Sequence, residues 1–83
     1  MSEIRLIQYA MLPVAEGWLL RCVANGRIVQ RSNEGESTID FERRVRVYCM
    51  DKATESRQVE LTIHDAEGYA ERTLNYTGTT EAP

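Results

Sequence analysis

The thirteen residues from Thr38 to Met50 decide what the rest of the chain can build. Odd positions read Ile39, Phe41, Arg43, Val45, Val47, Cys49 and even positions read Asp40, Glu42, Arg44, Arg46, Tyr48, Met50, a period-two alternation broken at Arg43. Wound as a helix, the same residues place Phe41, Val45, Tyr48 and Cys49 on one face and Ile39, Val47 and Met50 on the opposite one. Ser37 followed three positions later by Asp40 resembles a helix N-terminal cap. The alternation uses nearly every residue and the cap uses two, so the expectation is a strand over 38–50. The alternative is a helix over 38–53.

The flanking segments read as strands. Glu3 to Met11 is apolar on both faces and is expected to stop before Leu12-Pro13. Asn25-Gly26 lies between two apolar runs and is the preferred two-residue hairpin turn, whose type I′ geometry needs positive φ at both central residues. That turn pairs Val23 with Ile28, Cys22 with Val29 and Leu20 with Arg31. One face of the hairpin then carries Trp18, Leu20, Cys22 and Val29, and the other carries Leu19, Val23 and Ile28. A second hairpin joins 57–64 to 69–77 through Asp65-Ala66-Glu67-Gly68, with Val59 opposite Leu74 and Ile63 opposite Ala70. Its polar residues Glu60, Thr62, Glu71 and Thr73 share the other side.

Six short strands, roughly 3–11, 17–24, 27–32, 38–50, 57–64 and 69–77, imply an all-β domain, a small antiparallel sandwich or barrel with two hairpins. The alternative helix would instead make an α+β fold of ββαββ layout. One domain is expected over 1–77. The residues 78–83 have no apolar anchor and read as a flexible tail. Eighteen of the 83 residues are Leu, Ile, Val or Phe, just above the roughly 20% below which charged chains stay disordered. The core is therefore expected to be thin.

Composition narrows the function classes. Ten Lys and Arg against thirteen Asp and Glu give a net charge of −3, which argues against general binding to phosphate backbones. Nine of the ten cations are Arg, a side chain suited to planar, bidentate contacts with carboxylates or phosphates. Neither a secretory leader nor an apolar run long enough to span a bilayer is evident, so a cytoplasmic location is expected. Cys22 and Cys49 form no CxxC or Cys/His pattern, and the expectation is two reduced, buried thiols without a metal. His64 beside Asp65 in a turn lacks a nearby nucleophile, and no phosphate loop, metal helix or nucleophile elbow is present. The chain reads as non-enzymatic and free of cofactors.

Two groups of residues stand out as candidate contact surfaces. Arg43 and Arg72 interrupt apolar rows, where a charged head needs a carboxylate partner, a bulge or a route to water. Together with Arg44, Arg46 and Tyr48 they form an Arg/Tyr row of the kind enriched at protein interfaces. Leu19, Val23 and Ile28 form the second group. If nothing within the chain covers them they are an exposed apolar patch, which a homodimer would bury. The resulting expectation is a protein-binding module, such as a small accessory subunit or inhibitor of phage or mobile-element type, acting through a sheet edge or the Arg/Tyr face. A small β-barrel nucleic-acid-binding protein is the alternative.

Overall fold

A computed structural model describes residues 4–78. The chain runs β1 (Arg5–Val14), β2 (Gly17–Cys22), β3 (Ile28–Arg31), α1 (Thr38–Lys52), β4 (Arg57–His64) and β5 (Ala70–Thr77). The five strands form one open sheet in the order β3-β2-β1-β4-β5. β1 pairs antiparallel with β2, β2 with β3 and β4 with β5, whereas β1 and β4 are parallel. The sheet-rich expectation holds, but the wholly antiparallel sandwich or barrel is replaced by a single mixed sheet with a helix on one face. The layout is βββαββ.

The expected strand over 38–50 is the helix α1, and topology supplies the reason. β3 runs antiparallel to β2, and β2 antiparallel to β1, so β3 and β4 point the same way. A parallel return needs a crossover long enough to traverse the sheet, and a helix satisfies its own backbone while doing so. Ser37 caps it as the N-terminal signal implies, its Oγ accepting from the Asp40 amide at 3.1 Å. The inner face presents Phe41, Val45 and Cys49 at four-residue spacing, all fully buried. They meet Tyr9 and Met11 of β1, Leu20 of β2, and Val59, Leu61 and Ile63 of β4. Burial pushes the Cys49 thiol up to about 12, so it behaves as a small apolar side chain.

β1 also outruns its expected end at Met11, continuing through Leu12 and Pro13 to Val14. Pro13 is tolerated because of where its missing N–H would point. Its partner Trp18 directs both backbone groups at β3, donating to Ser32 Oγ at 3.0 Å and accepting from the Ser32 amide at 2.9 Å. The Pro13–Trp18 pair is thus of the non-hydrogen-bonded kind, and the absent donor would face β4, whose pairing with β1 ends at Met11–Ile63.

Both hairpin registers differ from expectation. The loop from Val23 to Arg27 is not a two-residue type I′ turn, because Asn25 has no positive φ and only Gly26 does. Asn25 Oδ1 instead accepts from the Arg27 amide at 2.9 Å, and the Gly26 amide donates to the Cys22 carbonyl at 2.8 Å. The register becomes Leu20–Gln30 and Arg21–Ile28 around a bulge. In the second hairpin Val59 faces Tyr76, Leu61 faces Leu74 and Ile63 faces Arg72, a two-residue shift from the expected pairing. A two-residue shift leaves every side chain on its original face, so the polar/apolar division survives. Gly78, assigned to the tail from sequence, lies so close to the backbone of Ala53 and Thr54 that a Cβ there would clash. The other tail residues, 79–83, lie outside the described part.

Candidate contact surface on the helix

The buried and exposed stripes of α1 are set by the same spacing. Opposite the inner stripe, Ile39, Val47 and Met50 are 69%, 59% and 55% exposed. Arg43 and Arg46 lie on the same outward side, and with Ile39, Glu42, Val47 and Met50 they outline a shallow depression along the helix. A larger groove of about 470 Å³ runs beside it toward β3, lined among others by Arg43, Val47, Tyr48 and Asp51. Together these make α1 a surface on which large exposed apolar side chains and arginines are interleaved over three turns, as they are more briefly at Ile4, Arg5 and Leu6.

The arginines expected to act as one surface divide between two tasks. Arg44 is consumed by structure. Its Nε and Nη2 donate to Glu36 Oε2 and Oε1 at 2.8 and 2.9 Å, Nη2 also donates to the Arg31 carbonyl at 2.9 Å, and Nη1 donates to Gln30 Oε1 at 3.1 Å. The guanidinium lies 5.2 Å from the centroid of the Phe41 ring, within cation–π range. This network ties α1 to the edge strand β3 and occupies a carbonyl that another strand would otherwise approach. Arg72 is explained by Glu42. Facing the helix side of the sheet beside Ile63, it donates to Glu42 Oε1 at 2.7 Å and joins β5 to α1. Arg46 lies 3.6 Å from Glu42 Oε2, and Arg43 lies 3.8 Å from Asp40. As a helix residue Arg43 points to solvent, so its interruption of an apolar strand row disappears.

The Glu36 carboxyl is held well below its ordinary 4.5, at about 2, first by the Arg44 hydrogen bonds and then by the Asn33 amide. A lowered folded-state value means that the unfolded chain binds the proton more readily, so this contribution is complete above the usual carboxylate range and disappears as pH falls toward about 2. Thermal unfolding of the native chain and of Glu36→Gln from pH 7 downward checks it. The native chain should melt higher near neutrality, with the gap closing in acid; a gap that stays constant with pH would show that the carboxylate charge is not its source.

Tyr48 is half-buried and meets Tyr9 edge-on, with ring centroids 5.7 Å apart and planes at 81°. The Lys52 ammonium lies 5.2 Å from the Tyr48 ring centroid. Tyr9 is pushed up to about 12, mainly by burial and secondly by Tyr48. Tyr48 therefore belongs partly to the core, with one side available to the groove. The second candidate group is broken up by the fold. Leu19, on the sheet face away from α1, is only 3% exposed, and its register neighbours are Leu12 and Arg31. Val23 sits in the loop at 53% and Ile28 begins β3 at 38%. The rest of that face is polar on its β4 side, where Gln8 donates to Glu60 at 2.7 Å and Thr62 meets Thr73 at 3.5 Å.

Comparison with known protein families, curated proteins and solved structures returned no match. The side chains themselves therefore carry the functional argument. His64 and Asp65 serve the turn: His64 Nδ1 donates to the Gly68 carbonyl at 3.1 Å, and Asp65 Oδ1 accepts from the amides of Glu67 and Tyr69 at 2.9 and 3.0 Å. Among the described residues no group of three or more His, Cys, Asp or Glu converges to hold a metal ion. No helix among them is long and apolar enough to cross a membrane. Ile39, Val47 and Met50 were absent from the expected contact residues, although placing 38–50 on a helix puts all three on its outer face.

Proposed function

We propose that the chain is a non-enzymatic protein-binding module that docks through the outward face of α1. The observation that carries this reading is the second apolar stripe of the helix, three large side chains more than half exposed beside Arg43 and Arg46. A helix that only covers a sheet needs one apolar stripe and is otherwise polar. A second stripe leaves apolar area in water unless another surface covers it, and Arg and Met are both enriched at interface centres. Nucleic-acid binding is the weaker reading, since the chain carries a net charge of −3 and Arg44 and Arg72 are held by carboxylates at 2.8 and 2.7 Å, which leaves few free cations to displace counterions.

The test compares the native chain with Val47→Gln/Met50→Gln. Both positions are exposed, so each change should alter stability by no more than about 0.5 kcal/mol. Affinity capture at physiological salt should recover a stoichiometric protein with the native chain, and the double variant should retain about a tenth of it or less, as expected when two interface anchors are lost. Recovery of nuclease-sensitive material alone, or equal recovery by both chains, would refute the proposal.

A further inference from the structure

Resting on the reading of α1 as a docking face, we infer that its occupant is a helical segment with an acidic centre and apolar ends. Ile39, Arg43, Arg46 and Met50 follow one another at intervals of four, three and four residues, the spacing that keeps one line of a helix against a second helix. At 1.5 Å per residue the line from Ile39 to Met50 is about 16 Å long, or three turns, and a matching partner needs about the same length. Its ends are apolar and its two central positions are arginines.

That order of residues selects against a second copy on this face. A parallel pairing sets Arg43 against Arg43 and Arg46 against Arg46 of the other copy. The antiparallel pairing that brings Ile39 opposite Met50 sets Arg43 against Arg46 twice. Either arrangement gathers four guanidinium groups in the middle of a contact that excludes water, and like charges so placed suppress the pairing.

Nor does the helix neutralise these two arginines itself. The Arg46–Glu42 and Arg43–Asp40 separations are 3.6 and 3.8 Å, long for exposed pairs that contribute little even at ideal geometry. Glu42 is already held by Arg72 at 2.7 Å. Asp or Glu side chains opposite Arg43 and Arg46 would meet planar forks suited to bidentate contact. Leu, Ile or Met opposite Ile39 and Met50 would close the ends. Charged positions inside an otherwise apolar seam also fix its register.

Two synthetic helical peptides test this. They are identical except at four positions spaced four, three and four residues apart, which read Leu-Glu-Glu-Leu in one and Leu-Lys-Lys-Leu in the other. Each is titrated into the isotope-labelled full chain and the backbone amide shifts are mapped. The Glu peptide should shift amides along 39–50 and bind about tenfold tighter than the Lys peptide, with the difference shrinking as salt rises. Arg43→Glu/Arg46→Glu should reverse the preference, and Arg43→Gln/Arg46→Gln should abolish it; the milder pair serves if the charge reversal disturbs the fold. Equal affinities or a preference for Lys, mapped to α1, would overturn the acidic partner while leaving the docking face standing. Shifts confined to the sheet, or none with either peptide, would overturn both. Concentration-dependent dimerisation mapped to α1 would make the occupant a second copy and overturn the inference.

Discussion

Phe41→Ala will lower the thermal midpoint by about 12–40 °C, the largest loss expected from any single side chain, because a buried Phe→Ala change costs about 3–5 kcal/mol and each kcal/mol moves a domain of this size by about 4–8 °C. Phe41 is fully buried at the centre of the helix–sheet interface. Its ring also lies beneath the Arg44 guanidinium, 5.2 Å away, so truncation removes the platform of the network that ties α1 to β3. An 83-residue chain has about 4–12 kcal/mol of total stability at the usual per-residue value, so the variant should be marginal at room temperature. Ile39→Ala provides the decisive comparison. On a strand, positions 39 and 41 share a face and both truncations would damage the same core. On the helix, Ile39 is 69% exposed, and its truncation should move the midpoint by only a few degrees, since surface substitutions are usually within about 0.5 kcal/mol. Comparable losses for the two variants in circular-dichroism melts would contradict the orientation of α1.

That pair of residues also explains why the helix was hard to read. Over thirteen residues, two apolar stripes on opposite helix faces supply apolar residues at 39, 41, 45, 47 and 49, and such a set reads equally as one face of a strand. A helix with a single apolar stripe would have broken the alternation. The ambiguity and the proposed contact surface thus share one origin, the outward residues Ile39 and Val47. The cap at Ser37 was local and therefore legible, because a side-chain oxygen three residues from an amide does not depend on the rest of the fold.

Long-range order was less legible. Polar and apolar faces of the second hairpin were readable from alternation, while its register was not, since a bulge beside His64 and the turn contacts of Asp65 move the pairing by two residues without changing any face. The parallel contact between β1 and β4 leaves no mark on either strand. It follows from the crossover, and the crossover could be recognised only by treating 38–52 as a helix. Arg72 shows the same dependence. Its place in an apolar row was visible from sequence, but Glu42 as its partner lies thirty residues away on an element expected to be a strand.

Gly17→Ala should cost about 2–4 kcal/mol although it lies outside the core, because it combines a strained backbone worth about 1–3 kcal/mol with the loss of a hydrogen bond worth about 1. Gly17 closes the β1–β2 hairpin opposite Val14 with φ +144°, a value that L side chains rarely adopt. A Cβ at this position would also run into Ser32 Oγ, the oxygen that accepts from the Trp18 amide at 3.0 Å. That bond replaces a ladder contact just after β3 ends, so displacing Ser32 loosens the edge strand as well as the turn. The two contributions separate in a double-mutant cycle. In a Ser32→Ala background the Trp18 bond is already lost and the collision is relieved, so Gly17→Ala should cost only the backbone strain, about 1–3 kcal/mol. Denaturant midpoints of the four chains give the coupling. A coupling of zero would show that the added methyl never meets Ser32 and that φ alone makes Gly17 necessary.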